Sequence, residues 1–233
     1  MSLKTKAAAC ITTSNLSKFL PDHCIKLDVK NTLFAVTQVS RMFYPKADID
    51  YPDTNLLNSS ELKKLYPNVN FGKNVLIGKN VSIGSNCLIG HNTIIEKNVI
   101  IGDNCSIGSN TIIRNTILKN HVKVLDGCVV GKKGFGFFPN NRNNYRFPQI
   151  GIVLINDYSE IGCGSTIDRG SISNTVIGKN TYLDNQIHIA HNVKIGENCI
   201  INTGAIIEHD VKIGDHCHIS TGCKINGNVF EGL

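Results

Sequence analysis

Two histidines, His191 and His209, are the residues best suited to acid–base chemistry, and they lie 18 positions apart. Asn192 and Asp210 follow them with the same spacing. A neutral imidazole, with an ordinary pKa of about 6.5, can take a proton from an amine or hydroxyl that attacks a thioester. Two imidazoles act at one site only if the elements that carry them bring residues 18 apart together.

An aliphatic residue recurs at every sixth position toward the end of the chain. The series is Ile177, Leu183, Ile189, Ile195, Ile201, Ile207, Ile213, Ile219 and Ile225. A period of six is neither that of an α-helix nor that of a single strand, and it is typical of a coiled parallel sheet. The sequence therefore predicts an all-β fold, a left-handed parallel β-helix of hexapeptide repeats with a short α/β N-terminal remnant. Three repeats make one triangular coil, which places residues 18 apart on the same corner of neighbouring coils.

The repeat divides the chain into two predicted parts. Residues 1–68 form a partial α/β segment with a linker, and residues 69–233 form the β-helix. In the first part we predict strands over Ala7–Ile11 and Cys24–Val29, a helix over 32–43 capped by Asn31, and a helical stretch near Ser59–Leu65. In the second part, loop insertions at 131–151 and 168–174 interrupt the repeat. We expect the longer loop to cover a site or a neighbouring subunit, because long loops are costly without such a role.

The charge of the chain is mildly positive and scattered. The formal net charge is +6, with no basic cluster, so we do not expect a nucleic-acid partner. An acidic carrier protein and nucleotide phosphates are the candidate partners, and the cations of the longer loop are candidates for that contact: Lys132, Lys133, Arg142 and Arg146. Nothing in the sequence reaches membrane-spanning length, and the first residues lack the apolar segment of a signal peptide, so we expect a cytoplasmic protein.

Nine cysteines raise the question of disulfides or zinc, but their spacing follows the repeat. Six of them stand two residues before an inward aliphatic residue, which is a second inward position that needs a small side chain: Cys87, Cys105, Cys128, Cys199, Cys217 and Cys223. We therefore expect these cysteines to be reduced core residues in a reducing compartment, and we expect no metal site.

A triangular β-helix has flat faces, and three copies packed side by side bury one face each and leave clefts between them. We therefore expect a homotrimer whose sites lie between subunits, in grooves that fit a long acyl or pantetheine chain. A reactive corner residue such as His191 would face that groove. The developing oxyanion needs a backbone N–H, which residue 209 on the adjacent coil is placed to supply.

Several sequence motifs together resemble UDP-3-O-(3-hydroxyacyl)glucosamine N-acyltransferases of lipid A synthesis. They are the GFGF loop with its PQIG return, the TIDRG insertion, and the DNxxxIAHN turn, spread over about residues 131–196. The resemblance implies transfer of a 3-hydroxyacyl group from acyl carrier protein to the 2-amine of a UDP-glucosamine derivative, with no bound cofactor. It implies that His191 is the general base.

The same resemblance implies roles for further residues. Asp184 is expected beside the His191 corner, where it would orient the imidazole. Asn185, Phe135 and His188 are expected to bind substrate. The chain departs from the family pattern in its short N-terminal segment, in its end without further helices, in Asn228 where the family has a second histidine, and in His209 where the family favours glycine. We therefore expect the chain to be a piece of a longer protein.

The last coils also resemble a second group. The stretch Ile201–Ser220, INTGAIIEHDVKIGDHCHIS, is similar to sialic-acid O-acetyltransferases and bacillosamine-type amino-sugar N-acetyltransferases. That resemblance implies an acetyl-CoA-dependent enzyme with His209 as the base, Asp210 as its support and His218 as a contact for acetyl-CoA. Both resemblances imply acylation of an activated amino sugar, and they differ in the donor and in the essential histidine.

Two other classes fit the fold less well. A zinc enzyme of the γ-carbonic-anhydrase kind shares the β-helix, but its near ligand pair is spaced by five, whereas His188 and His191 are spaced by three. A purely structural β-helix leaves the histidine–carboxylate corner and the long loop without a purpose. Metal analysis of the purified protein separates the zinc enzyme from the others, because it would hold about one zinc per subunit.

Overall fold

The computed structural model describes residues 4–57, 59–139 and 144–230. It divides into two compact units, one made of Met1–Ile49 with Gly136–Pro148 and the other of Asp50–Phe135 with Gln149–Leu233. In the described part of the chain, no helix is both long enough and apolar enough to cross a membrane.

The first unit is small and contains both helices and strands. Strands Ala9–Thr12 and Ile25–Asp28 pair in parallel, and helices Ser14–Ser17 and Thr32–Phe43 follow them in turn. The Asn31 side chain accepts a hydrogen bond from Phe34 N at 2.9 Å, so the predicted cap of the longer helix is confirmed.

The longer predicted loop contains regular structure that its composition did not reveal. Strands Phe137–Pro139 and Asn144–Arg146 pair antiparallel within it. In the first unit, the Phe34 ring lies 6.0 Å from the ring of Phe138 and 6.0 Å from that of Tyr145. Arg41 Nη2 also donates to the carbonyl of Arg146 at 3.1 Å. The two strands are therefore held to helix Thr32–Phe43 by ring contacts and a hydrogen bond.

The second unit is a left-handed parallel β-helix, which confirms the predicted fold class. Its first face is made of Val69–Phe71, Cys87–Ile89, Ser106–Ile107, Lys123–Val124, Glu160–Ile161, Tyr182–Leu183, Ile200–Ile201 and His218–Ile219. Its second face is made of Leu76–Ile77, Ile94–Ile95, Ile112–Ile113, Val129–Lys132, Thr166–Asp168, His188–Ile189, Ile206–Ile207 and Lys224–Ile225. Its third face is made of Ser82–Ile83, Ile100–Ile101, Thr116–Leu118, Val153–Ile155, Thr175–Ile177, Lys194–Ile195 and Lys212–Ile213.

Residues 18 apart pair in register between adjacent coils, as the period predicts. His188 pairs with Ile206, and Ile189 with Ile207. The register survives both insertions, since Leu118 pairs with Ile155 and Ile155 pairs with Ile177. The insertions therefore leave the coil at a turn and return to it without displacing the strands.

The aliphatic residue of each repeat lies inside the coil. Ile161, Ile189 and Ile201 are completely buried, and the other members of the series are buried or nearly so. Five of the six cysteines predicted as core residues are buried, and Cys223 is half-buried. Helix Ser59–Leu65 adds the fully buried Leu62 to this core.

The turns explain the recurring glycine and asparagine of the sequence. A Cβ at Gly78 would lie 2.4 Å from Lys97 N of the next coil, so a side chain would push the coils apart. Two residues later Asn80 has a φ of 58°, a left-handed conformation that asparagine tolerates better than most residues. The same Gly-x-Asn turn recurs along the β-helix, for example at Gly90–Asn92 and Gly196–Asn198.

The neighbouring residues Ile200 and Ile201 provide a test of this core. Ile201 is fully buried, whereas Ile200 on the same strand is 46% exposed. We predict that Ile201→Ala lowers the free energy of unfolding by about 2–5 kcal/mol, because it removes buried methyl groups and leaves a cavity. Ile200→Ala should cost less than about 1 kcal/mol, and urea denaturation of both variants measures the difference. Equal losses would contradict the inward assignment.

Candidate active site

Both histidines lie at one corner of the β-helix, the corner between the second and third faces, and both insertions leave and rejoin the coil there. The chain enters this corner after strand His188–Ile189 and again after strand Ile206–Ile207. One insertion leaves it after strand Val129–Lys132, and the other after strand Thr166–Asp168. We call this region the histidine corner: residues 132–135, 149–151, 168–174, 190–192 and 208–210.

The predicted pairing of the two histidines is confirmed by the structure. The His191 and His209 rings are stacked, with centroids 5.2 Å apart and planes 8° from parallel. Asp210 Oδ2 lies 3.0 Å from His209 Nδ1, and Asp210 Oδ1 accepts from Asn192 Nδ2 at 2.8 Å. One carboxylate therefore holds the turns of two coils together beside the stacked rings.

The two rings have different surroundings. His191 is half-buried, whereas the His209 side chain is 61% exposed. Burial lowers the pKa of His191, and the adjacent His209 lowers it further. Asp210, Asp168 and a hydrogen bond with the Phe135 backbone oppose that shift without cancelling it. His191 is thus a neutral imidazole at pH 7, which is the form that accepts a proton.

The carboxylate of Asp210 stays ionised beside these rings. Partial burial acts to raise the pKa of Asp210, but hydrogen bonds from His209 and Asn192 outweigh it and leave the pKa lowered. The site therefore contains a fixed negative charge close to both imidazoles.

The start of the longer insertion lies directly against His191. A Cβ placed on Gly134 would be 2.6 Å from His191 Cδ2, so no larger residue fits between the loop and the ring. The next residue, Phe135, contacts His191 through its backbone while its own side chain is 81% exposed. The GFGF motif thus brings the predicted substrate-binding residue Phe135 to the candidate base.

An ion pair at this corner was missed by the sequence analysis. Lys132 Nζ lies 2.6 Å from Asp168 Oδ1, and the Asp168 side chain is only 3% exposed. Burial raises the pKa of Asp168, while Lys132, His188 and His191 act in the opposite direction. The available signal was positional, because each residue ends a strand immediately before an insertion.

The cations of the longer loop, predicted as contacts for an acidic partner, are mostly engaged within the chain. Lys132 is paired with Asp168, Lys133 is buried, and the Arg146 guanidinium lies 4.6 Å from the centroid of the Phe137 ring. Arg142 lies outside the described residues. An acidic partner would therefore find few unengaged charges on the described part of this loop.

The expectation that Asp184 lies at the same corner as His191 is wrong. Asp184 and Asn185 follow strand Tyr182–Leu183 of the first face, and strand His188–Ile189 of the second face separates them from His191. Asp184 accepts hydrogen bonds from Thr203 and, at 3.0 Å, from Asn185 Nδ2. A hydrogen bond from Thr203 is the main cause of its lowered pKa. Seven positions carry the chain past one strand to the next corner, so proximity along the sequence was misleading.

The two remaining predicted binding residues lie on flat faces. His188 is on the second face, where its Nδ1 lies 2.7 Å from Thr166 Oγ1 of the preceding coil. His218 is on the first face, where its Nε2 lies 3.0 Å from Asn202 Nδ2. His188 is therefore close to the histidine corner in the chain, whereas His218 lies on a face that does not border it.

The described residues, 4–57, 59–139 and 144–230, offer no group of metal-ligating side chains. Within these residues no three side chains of the histidine, cysteine, aspartate or glutamate type are grouped so that they could hold an ion. The His191 and His209 rings stack face to face instead of directing their nitrogens at a common point.

Comparison with known families identifies the repeats. A family model described as bacterial transferase hexapeptide (six repeats) matches residues 80–115 and 174–208. A second, described as hexapeptide repeat of succinyl-transferase, matches residues 192–226. All of the matched residues lie within the β-helix of the second unit.

Curated relatives are similar over one segment of the chain. UDP-3-O-acylglucosamine N-acyltransferase 1 of Nitrobacter winogradskyi is 48% identical over 82 residues, which is 35% of this chain and 23% of the relative. UDP-3-O-acylglucosamine N-acyltransferase of Agrobacterium fabrum is 45% identical over 78 residues, which is 34% of this chain and 22% of the relative. Each match thus spans less than a quarter of the relative's length. The resemblance to these N-acyltransferases that the motifs predicted is therefore confirmed over the matched segment.

A solved structure shares the fold. UDP-N-acetylglucosamine acyltransferase from Campylobacter jejuni aligns with a TM-score of 0.52 and 21% identity, over 70% of this chain and 67% of that chain. At this identity the likeness concerns the β-helix alone.

The electrostatic coupling of the two rings is measurable. We predict that His209→Asn raises the pKa of His191, because it removes the neighbouring imidazole whose charge disfavours protonation of His191. A histidine-selective NMR titration follows the His191 ring directly. Asp168→Asn should lower the pKa of His191, since it removes a carboxylate that favours the protonated imidazole. If both substitutions shifted the pKa of His191 in the same direction, the opposite effects assigned to His209 and Asp168 would be contradicted.

Proposed function

We propose that the protein is an acyltransferase that moves a 3-hydroxyacyl group from an acyl carrier protein thioester to the amine of a UDP-glucosamine derivative in lipid A synthesis. The observation that carries the proposal is the neutral, half-buried His191, stacked on His209 and enclosed by Gly134 of the long insertion. The similarity to UDP-3-O-acylglucosamine N-acyltransferases gives the donor and acceptor their chemical identity.

In this mechanism His191 acts as the general base. The acceptor amine attacks the thioester carbonyl, a C–N bond forms, and His191 takes the proton that the nitrogen loses. Collapse of the tetrahedral intermediate breaks the C–S bond, and the proton passes from His191 to the departing thiolate. Asp210 favours the transient imidazolium, because its carboxylate lies beside both rings.

A backbone N–H is placed to stabilise the oxyanion. The amide in question is that of His209, the second residue after the inward Ile207. At several other turns the equivalent amide donates to a side chain 18 residues later, as Glu197 N does to Asp215 Oδ1 at 2.7 Å. The equivalent residue for His209 is Gly227, which has no side chain. Among the described residues no acceptor is found for His209 N–H, so this amide remains available to a substrate oxygen.

The remaining partners follow from the chemistry proposed. The donor is a thioester co-substrate, and no metal or other resident cofactor is required by the mechanism. We propose a cytoplasmic homotrimer in which the acyl chain lies in a groove beside the second face, where Ile206 is 40% exposed. Pairing of this exposed surface with another copy would remove apolar area from water.

A second candidate function is favoured by the His209–Asp210 pair. The 3.0 Å contact between His209 Nδ1 and Asp210 Oδ2 is the arrangement of a histidine base supported by a carboxylate. In that alternative, an acetyl-CoA-dependent amino-sugar or sialic-acid acetyltransferase uses His209, and His191 supports the stack.

Single substitutions separate the two candidates. We predict that His191→Ala lowers kcat for 3-hydroxyacyl transfer about 10²–10⁴-fold, because the general base is lost. His209→Ala should lower it less, and acetyl-CoA should be a poor donor. Turnover is measured with UDP-glucosamine derivatives and each donor.

His216→Asn provides the matched control for these variants. His216 is also a turn histidine, with a φ of 56°, but it lies at the corner between the third and first faces. Asparagine suits that backbone conformation, so activity should be unchanged. A silent His191→Ala together with an inactive His209→Ala would replace the first proposal by the second.

The pH dependence of the reaction reports the state of His191. Its folded pKa is lowered below the ordinary 6.5, so the base stays neutral until the pH falls below that value. We predict that kcat/KM stays near its plateau at pH 6.5 and falls only in more acidic solution. An acidic limb with its midpoint above pH 6.5 would contradict His191 as the base.

A further inference from the structure

Gln149 is a buried polar residue with unmet hydrogen-bonding capacity. It is 1% exposed, and among the described residues neither its Nε2 nor its Oε1 has a hydrogen-bond partner. Buried side-chain amides are nearly always paired in folded proteins, so an exception of this kind calls for a ligand or an ordered water. The residue ends the long insertion, where the chain rejoins the β-helix.

Hydrogen bonds of the next residue connect the segment that carries Gln149 to the turn of His191. The next residue, Ile150, donates from its backbone N to Ser171 O at 2.7 Å. Ser171 N in turn donates to Asn192 Oδ1 at 2.7 Å, and Asn192 follows His191 directly. The segment carrying Gln149 is therefore held two hydrogen bonds away from the turn of the candidate base.

A second unmet group lies at the same corner. His191 Nδ1 is buried and has no hydrogen-bond partner among the described residues. An imidazole nitrogen and a carboxamide in the same corner thus both need a polar partner that the described residues do not supply. The Asp168 carboxylate at this corner is already engaged by Lys132 at 2.6 Å.

We propose that Gln149 is a specificity-determining residue that binds a hydroxyl group of the substrate beside His191. The inference rests on the proposed acyl transfer and adds which group of the substrate the protein recognises. A carboxamide offers two donors and one acceptor without charge, so its best complement is a neutral group that both donates and accepts. Two sources supply such a group: the hydroxyl on the acyl chain of the donor, and a ring hydroxyl of the acceptor sugar.

The first arm of the test asks whether the amide is unmet in the free protein. Gln149→Met keeps a similar volume and removes both polar atoms, so it should leave the melting temperature of the ligand-free protein unchanged or raise it. Thr181→Val is the matched control, because Thr181 is equally buried but donates to Gly196 O at 2.8 Å. Its melting temperature should fall. An equal fall in Gln149→Met would overturn the proposal, since the amide would then have a structural partner.

The second arm measures binding and distinguishes the two sources. The probes are 3-hydroxydecanoyl pantetheine against decanoyl pantetheine, and UDP-glucosamine against its ring-deoxy analogues, titrated calorimetrically into wild type and Gln149→Met. Wild type should bind the hydroxylated member of one pair at least about tenfold more tightly, and the variant should bind both members equally. Retention of every preference in the variant would overturn the proposal.

Turnover is measured separately with the same probes. If wild type binds with the predicted preference but transfers no acyl group, the proposed function fails and the role of Gln149 in recognition stands. If wild type transfers the acyl group and Gln149→Met discriminates as wild type does, the role of Gln149 fails and the proposed function stands.

Discussion

The in-register stacking of coils, one every 18 residues in the regular stretches, is the constraint on which the second unit depends. Each strand is two to four residues long and has little stability by itself, so its backbone groups must pair with the coils on either side. The buried aliphatic residue of each repeat fills the interior at the same depth in every coil. Any change of length within a coil would break both the ladder and the core, which confines insertions to the turns.

That constraint also explains where chemistry can be placed. Many regular turns have a glycine against the next coil and an asparagine in a left-handed conformation, which leaves little room for reactive groups. The histidine corner departs from this pattern in four consecutive coils, through two insertions and two histidines. It combines stacked imidazoles, a fixed carboxylate and a buried ion pair, which regular turns do not provide. Perturbed ionisable groups of this kind are typical of functional sites.

The sequence predicted the parts of the structure that follow from periodicity. The faces, the inward residues, the pairing of His191 with His209 and the cap at Asn31 all depend on local spacing, and the structure confirms them. The antiparallel strands Phe137–Pro139 and Asn144–Arg146 were not predicted, because their contacts with Phe34 join positions about a hundred residues apart. The Lys132–Asp168 ion pair and the unpaired amide of Gln149 were also not predicted, because the repeat does not determine how side chains pair where an insertion leaves or rejoins the coil. The position predicted for Asp184 was wrong because strand His188–Ile189 separates it from His191. Closeness of two residues within a motif does not show that they share a corner.

In the proposed reaction a neutral imidazole at the His191 position removes the proton from the attacking nucleophile. Chemical rescue measures this most directly, with kcat/KM of His191→Ala determined for 3-hydroxyacyl carrier protein and a UDP-glucosamine derivative as free imidazole is added. Truncation leaves a space beside Gly134 and His209 where imidazole can bind. If His191 is the base, activity rises with the concentration of neutral imidazole and approaches a plateau. A fully active His191→Ala variant, or one whose lost activity is indifferent to imidazole at every pH, would contradict it.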